Sequence, residues 1–259
     1  MSVQVDTIGG VCTLTLQNEK RANSLSAPMV VALATALDAA EKDDTVRVVV
    51  LTGSGKFFCA GMDLGAASAA NGPAFAASLA LFKRIADFPK PTVARINGPA
   101  LGGGVGIAFC TDIRVSDEAA FFQLAEVRRG LIPAIISLYI VPQLGPSRSR
   151  QYFLTGEKVP AKELFAAGCL AAAVPTVKLN ETVAHYTALL AAGGPIAQTT
   201  IKRLVAVVGS SAPETTKLDT VKEVFENMLT SPEAAYGMRA FMSKQTPDWV
   251  QFTKDASKL

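Results

Sequence analysis

Residues 92–110 read TVARINGPALGGGVGIAFC, and this stretch indicates the architecture of the chain. Thr92 to Ile96 has the apolar character of a strand, and Asn97-Gly98-Pro99 is a turn sequence. Gly102-Gly103-Gly104 then opens a helix-like segment that ends near Cys110. This stretch therefore predicts a fold in which a strand, a glycine turn and a helix follow one another as a repeated unit.

The same order occurs earlier in the sequence. Val11 to Leu16 alternates apolar and polar side chains, as a half-buried strand does, and residues 18–23 follow as a polar loop. Ser26 is a predicted N-cap for a helix that runs to Glu41 with apolar positions at helical spacing. The β-branched run Val46 to Thr52 predicts the next strand.

Further short elements follow. Strands are predicted at residues 113–115 and 120–124, and helices at 147–154 and 161–167, the last of them stopped by Gly168 in the C′ position. Successive β-rich turns, each closed by a helix, are typical of an α/β fold. A chain of 259 residues fits one large domain, or one domain with an appended helical segment.

The composition changes near Gly193-Gly194-Pro195, after which no strand pattern remains. Segments 196–208, 213–229 and 232–244 are predicted to be helices. We expect a core at residues 1–195 and a C-terminal helical region at residues 196–259. Such a region packs on another surface, either its own or a neighbour's.

Composition and charge exclude several classes of protein. The chain is 49% hydrophobic and 18% charged, with a net charge of +3, and no apolar run is long enough to cross a bilayer. The basic residues form no block beyond pairs, which argues against nucleic acid and leaves an anionic small molecule as the easier partner. The four cysteines form no C-x-x-C pair, so they are predicted to be small core residues in a reducing compartment.

The ends of the chain bear on location. Met1 to Gly10 has no basic region followed by an apolar stretch, which argues against a cleaved signal. The last three residues, Ser257-Lys258-Leu259, match the address that the peroxisomal import receptor recognises, although a polar tail also ends this way by chance. We expect import into the peroxisome or a related organelle.

Several common catalytic signatures are absent from the sequence. The single histidine, His185, lies on a predicted helix without a matching nucleophile and carboxylate. Ser/His/Asp hydrolysis and histidine-ligated metal sites are therefore disfavoured. There is no P-loop, and the glycines at 102–106 lack the spacing of a dinucleotide-binding turn.

Two glycine-centred turns, at residues 57–64 and 97–106, are flanked by strongly apolar sequence. A glycine turn that opens a helix lets the backbone approach a ligand and leaves N–H groups without intrahelical partners. Two such donors that converge on one point would form an oxyanion hole. Either turn taken alone is best explained as a tight connection between a strand and a helix.

The order and spacing of these turns, followed by FFQLAEVRRGLIP at residues 121–133, resemble the enoyl-CoA hydratase/isomerase family, the crotonase superfamily. The polar loop at residues 18–25 and the segment from Phe241 to Asp248 are also similar to the family. The resemblance implies an α/β crotonase-like spiral of ββα turns. It also implies a C-terminal helical region used for trimerisation, often in a dimer of trimers.

The resemblance further implies residue roles. The N–H groups of Met62 and Gly103 would bind the thioester oxygen of an acyl-CoA, and Glu126 would move a proton. No resident cofactor is implied, because coenzyme A is part of the substrate. The implied substrate-binding residues are Ala60, Gly61, Asp63, Leu64, Gly102 and Lys244. Lys244 would reach a CoA phosphate from a neighbouring subunit, although a solvent-exposed helix residue explains it equally well.

The acid positions bear on the reaction. Well-known hydratases of this family carry two glutamates, but here the first position is Gly106 and the second is Glu126. A lone glutamate resembles Δ3-to-Δ2 enoyl-CoA isomerases of β-oxidation, in which one base serves two carbons. The sequence around both turns also resembles branched-chain methylglutaconyl-CoA hydratases. A third hypothesis is a non-catalytic acyl-CoA-binding protein in which Glu126 only pairs with Arg128 or Arg129.

Overall fold

A computed structural model of the protein describes residues 2–63 and 72–256. Leu64, one of the implied substrate-binding residues, lies outside the described residues. The tripeptide Ser257-Lys258-Leu259 lies outside them as well.

The chain forms alternating strands and helices and then a run of helices, as predicted. The strands are β1 (Ser2–Ile8), β2 (Val11–Gln17), β3 (Val48–Gly53), β4 (Thr92–Ile96), β5 (Ala100–Leu101), β6 (Ile113–Asp117), β7 (Phe121–Gln123), β8 (Lys158–Pro160) and β9 (Ala172–Val174). The helices are α1 (Ala27–Lys42), α2 (Gly72–Ala86), α3 (Gly103–Cys110), α4 (Ala134–Thr155), α5 (Ala161–Ala166), α6 (Thr176–Ala191), α7 (Pro195–Val208), α8 (Glu214–Thr230), α9 (Pro232–Met242) and α10 (Trp249–Ala256).

Two sheets organise the strands. The larger sheet has the order β1-β2-β3-β4-β6-β9, in which β1 and β2 are antiparallel and the other neighbours are parallel. The smaller sheet has the order β5-β7-β8, and β5 pairs with β7 in parallel so that Leu101 faces Gln123. This pairing brings the second glycine turn beside the loop that carries Glu126.

Side chains of β3 pack on both faces of the larger sheet, because successive residues of a strand point to opposite sides. Val49 and Leu51 belong to the main core together with α1, α2, α3 and α4. Val48 and Val50 pack on the other face against Leu179 of α6. Both faces are thus covered, which explains why β3 is a continuous apolar run. All four cysteines are buried.

Some elements differ from the sequence prediction. Helix α4 begins at Ala134, well before the predicted start at residue 147, because Pro142 and Pro146 obscured its periodicity. Gly145, with φ of 76°, kinks this helix. The strands β8 and β9 were missed since three residues are too few to show an alternation. Gly168 does follow α5 in the left-handed conformation, with φ of 75°.

The three helices predicted after residue 195 are present as α7, α8 and α9, and α10 adds a fourth. Glu233 of α9 is buried and accepts hydrogen bonds from the N–H groups of Ile196 and Ala197, both at 2.8 Å, at the start of α7. Arg47 of the core donates to the Gly193 carbonyl at 2.6 Å. Within the described ranges, no helix combines the length and hydropathy that crossing a membrane requires.

Candidate active site

A cavity of about 700 Å³ lies between the two glycine turns. Its walls come from the segment 60–63, the second glycine turn, α2, and the run from Leu131 to Ile136. The loop that ends in Glu126 closes one side. Because this space is large and mostly apolar with a few polar groups, it has the character of a small-molecule site.

The first glycine turn is held between two neighbouring segments. On one side Cys59 pairs with Ala100, and the Leu101 N–H donates to the Cys59 carbonyl at 2.9 Å. On the other side the Leu25 N–H donates to the Gly61 carbonyl at 2.8 Å, within a short parallel bridge between Leu25 and Met62. The backbone at Met62 is therefore fixed from both sides.

Two backbone donors lie side by side at the cavity wall. Gly103 is the first residue of α3, so its N–H has no intrahelical acceptor. A methyl group added at Gly103 would lie 3.4 Å from the Met62 nitrogen, which shows how closely the two segments approach. Neither the Met62 nor the Gly103 N–H donates to another described residue. Two neighbouring backbone donors of this kind are the groups that an oxyanion hole requires.

Glycine is required where the turns meet. A methyl group added at Gly61 would lie 2.8 Å from the Gly103 nitrogen, and the φ of Gly61 is 85°. Gly102, with φ of 47°, takes a conformation that other residues rarely adopt. The absence of a side chain at Gly61 therefore permits the two turns to approach, and glycine at position 102 permits the backbone conformation there.

Glu126 begins a short 3-10 helix, Glu126–Arg129, directly after β7 and Ala125. A methyl group added at Gly102 would lie 3.0 Å from Oε1 of Glu126, so the carboxylate lies next to the second glycine turn. Its Oε2 atom is buried and has no hydrogen-bond partner among the residues that the structure describes. Burial raises the pKa of Glu126 above its ordinary value of 4.5, although the positive charge of Arg129 partly opposes this shift.

The position of Gly106 is packed against apolar side chains. A methyl group added there would lie 2.3 Å from Cγ2 of Ile136 and 2.9 Å from Cε1 of Phe82. Ile136 and Phe82 are themselves buried and line the cavity. The place at which a second acid would project is thus occupied by hydrocarbon. The sequence showed the missing carboxylate but not the side chains that fill its place.

The structure brings most of the predicted site residues together around this cavity. Those that line it are Ala60, Gly61, Met62, Asp63, Gly102, Gly103 and Glu126. Asp63 lies 3.9 Å from the guanidinium of Arg21, which also lines the cavity. Lys244 follows α9 with φ of 55° and does not line the cavity of its own chain.

Two other carboxylates of the core lie away from the cavity. Asp117 accepts a hydrogen bond from Thr176 at 2.5 Å, and Glu118 forms an ion pair with Lys162 at 3.0 Å. Neither lines the cavity. Among the described residues, Glu126 forms no ion pair within 4.0 Å with an arginine or a lysine. Of the two described carboxylates that line the cavity, Asp63 lies beside Arg21, and Glu126 lies next to the second glycine turn.

Comparisons with known proteins identify the family of this chain. Residues 6–252 match the sequence profile of the family called enoyl-CoA hydratase/isomerase. The chain is 32% identical over 257 residues to the 1,2-epoxyphenylacetyl-CoA isomerase of Escherichia coli, covering 94% of this chain and 95% of that protein. It is 30% identical over 257 residues to an enoyl-CoA hydratase of Mycobacterium tuberculosis, covering 95% of each.

A solved structure has the same fold. The crystal structure of an enoyl-CoA hydratase from Shewanella pealeana superimposes with a TM-score of 0.90 at 26% identity, covering 96% of each chain. The profile match and these relatives extend over nearly the whole chain, so they include both glycine turns and Glu126. The protein is therefore an enzyme of the enoyl-CoA hydratase/isomerase family.

Proposed function

We propose that the protein converts Δ3-enoyl-CoA to Δ2-enoyl-CoA in fatty-acid β-oxidation, with Glu126 as the only proton carrier. The observation that carries this proposal is the packing of Phe82 and Ile136 at Gly106. A hydratase of the two-glutamate type needs a second carboxylate there to help activate water. Isomerisation needs a single base that reaches both C2 and C4 of the acyl chain, and Glu126 is that base.

The proposed reaction proceeds through a dienolate. The Glu126 carboxylate removes a proton from C2, and the electron pair moves onto the thioester oxygen. The Met62 and Gly103 N–H groups stabilise the negative charge, and each such donor contributes roughly 3 kcal/mol in comparable enzymes. Glu126 then returns the proton to C4, and the double bond moves from C3–C4 to C2–C3.

The burial of Glu126 supports this role. A base whose pKa lies nearer to neutral holds the abstracted proton more readily and still releases it to carbon. The unpartnered Oε2 atom of Glu126 also opposes the hypothesis of a silent protein, in which this carboxylate would only pair with Arg128 or Arg129. A catalytically silent protein would bind acyl-CoA without exchanging the α-protons of a saturated acyl-CoA in heavy water.

Hydration is the second candidate function, and the hydratase names of relatives favour it. The two reactions are separated by supplying 3-enoyl-CoA and trans-2-enoyl-CoA to the same preparation. We expect the 3-enoyl ester to be isomerised much faster than the 2-enoyl ester is hydrated. Faster hydration would replace the isomerase proposal with the hydratase one.

Self-association is also proposed. Many apolar side chains of α7, α8 and α9 are exposed in the single chain, including Val205 at 65%, Phe225 at 57% and Phe241 at 77%. Monomers rarely expose so much apolar surface on neighbouring helices. Light scattering should give a mass that is a multiple of three chains, and a monomer at micromolar concentration would contradict this. The approach of Lys244 to the CoA of a neighbouring copy depends on the same assembly.

Peroxisomal import stays a prediction of the sequence. A fluorescent fusion that leaves Ser257-Lys258-Leu259 free should enter peroxisomes, and deletion of Leu259 should leave it in the cytosol. Import that survives the deletion would contradict the prediction.

A further inference from the structure

Asn23 is a fully buried polar residue close to the first glycine turn, yet it does not line the cavity. Its side-chain amide donates to the carbonyl oxygens of Ser54 and Phe57, both at 2.8 Å, and lies 3.4 Å from that of Phe58. Its Oδ1 accepts from the Asn18 N–H at 2.9 Å. One side chain thus joins the polar loop to the turn after β3.

The segments on both sides of these bonds lead directly to Met62. Just before Asn23, the Ala22 carbonyl accepts a hydrogen bond from the Ala60 N–H at 2.9 Å. Two residues after Asn23, Leu25 forms the bridge to Met62. Beyond Phe58, the chain runs straight into Cys59 and the glycine turn. Asn23 therefore lies where the two segments that align the Met62 N–H are joined.

The backbone of Asn23 explains why this residue type is suited to the position. Its φ is 57°, in the left-handed region that asparagine and glycine tolerate best. Among those residues, only asparagine also supplies two N–H donors and an acceptor. A buried aspartate of the same shape would direct a charged oxygen at the Ser54 and Phe57 carbonyls.

We propose that Asn23 is a positioning residue that sets the direction of the Met62 N–H group in the oxyanion hole. The inference rests on the proposed hole but not on the choice between isomerisation and hydration, because both reactions polarise the same thioester carbonyl. A displacement of about 1 Å in a reacting group can cost roughly 100-fold in rate. Loss of the Asn23 amide releases the loop from the turn and permits such a displacement.

The test is the infrared stretching frequency of the thioester carbonyl in bound hexanoyl-CoA, labelled with carbon-13 at that carbonyl. Hydrogen bonds from the hole lower this frequency. Asn23→Gly keeps the left-handed backbone and removes the side chain, so we expect most of the lowering to be lost. We also expect kcat to fall roughly 10-fold to 100-fold while the Kd for hexanoyl-CoA stays within a few fold.

Two further variants keep the test decisive. Asn23→Ser retains one hydroxyl donor and should give a smaller loss of the frequency shift, and it replaces Asn23→Gly if that variant does not fold. Leu179→Ala removes buried side-chain volume from the core on the other face of the sheet and should lower the midpoint of unfolding, but we expect it to leave the carbonyl frequency unchanged.

The outcomes distinguish the two proposals. If the wild-type protein does not lower the carbonyl frequency, the oxyanion hole is wrong and this role of Asn23 falls with it. If the wild-type lowers it and both Asn23 variants do so equally, the hole stands and the positioning role is overturned. An equal change in Leu179→Ala would also overturn that role, since it would reflect general loss of stability.

Discussion

The resemblance aligns Glu126 and Gly106 with the two positions at which two-glutamate hydratases carry acids, and the structure gives these two residues different surroundings. Glu126 begins a 3-10 helix at the edge of the cavity and is only partly buried. Gly106 lies in α3, where every residue is buried. The edge position tolerates a charge, whereas the helix position has no room for a methyl group.

This comparison shows that the missing second acid is built into the packing of the core. Replacing Gly106 alone cannot restore a carboxylate, because Ile136 of α4 and Phe82 of α2 already occupy the space. Interiors are close-packed, so two helices would have to move to admit a larger side chain. The absence of an acid at position 106 is therefore tied to the packing of α2, α3 and α4 and not to one residue alone.

The largest expected effect comes from Glu126→Gln. The amide keeps the size of the side chain but cannot accept the proton, so we expect turnover to fall about 100-fold to 10,000-fold. Binding of the CoA ester should remain close to that of the wild-type protein. The measurement is the isomerisation rate of 3-enoyl-CoA at saturating substrate.

Glu118→Gln is the matched control, because Glu118 pairs with Lys162 outside the cavity. We expect it to keep full turnover. A Glu118→Gln variant that loses activity while Glu126→Gln retains it would reverse the assignment of the acid.

The next effect concerns the N–H group of Gly103. Proline is well tolerated at the first position of a helix, so Gly103→Pro should preserve α3 while it removes this donor. We expect kcat to fall about 100-fold to 1,000-fold. Gly103→Ala is the control, since it keeps the N–H group and its methyl group meets neighbours no closer than 3.4 Å. Equal losses in both variants would point to crowding and not to the missing hydrogen bond.

A smaller effect, on stability, tests the packing at Gly106. Gly106→Ala should lower the free energy of unfolding by about 1–3 kcal/mol, because the added methyl group overlaps Ile136. In a double-mutant cycle with Ile136→Ala, we expect the two losses to be less than additive, with a coupling of about 0.5–3 kcal/mol. Denaturant unfolding of all four proteins gives the values. Strict additivity would show that Ile136 does not fill this position.

The smallest effect is the pH dependence of stability at Glu126. A carboxyl group whose pKa is raised by folding binds its proton more tightly in the folded chain. Its ionisation therefore destabilises the folded state as the pH rises above its ordinary pKa of 4.5. Glu126→Gln should be slightly more stable than the wild-type protein at neutral pH, and this advantage should disappear below pH 4.5. Thermal unfolding across this range measures it, and an advantage that grows on acidification would contradict the burial argument.

Most of the local elements and the chemical groups of the site are predictable from the amino-acid sequence alone. The alternation of Val11 to Leu16 and the apolar run of Val46 to Thr52 predicted β2 and β3, since the period of a strand is visible in a few residues. The two glycine turns are visible as glycine clusters flanked by apolar sequence, and Glu126 was identified through the resemblance to the family. The helices at residues 196–208 and 213–229 were also recognisable from spacing alone.

How these groups meet is visible only in the folded chain. The approach of Gly61 to Gly103, the burial of Glu126, and the filling of the Gly106 position by Ile136 all join residues that are distant along the chain. Local periodicity carries no record of such contacts, because it reports which face of an element is buried and not what covers it. The structure therefore shows what the sequence does not, namely that apolar side chains fill the position of Gly106 while the position of Glu126 holds a carboxylate.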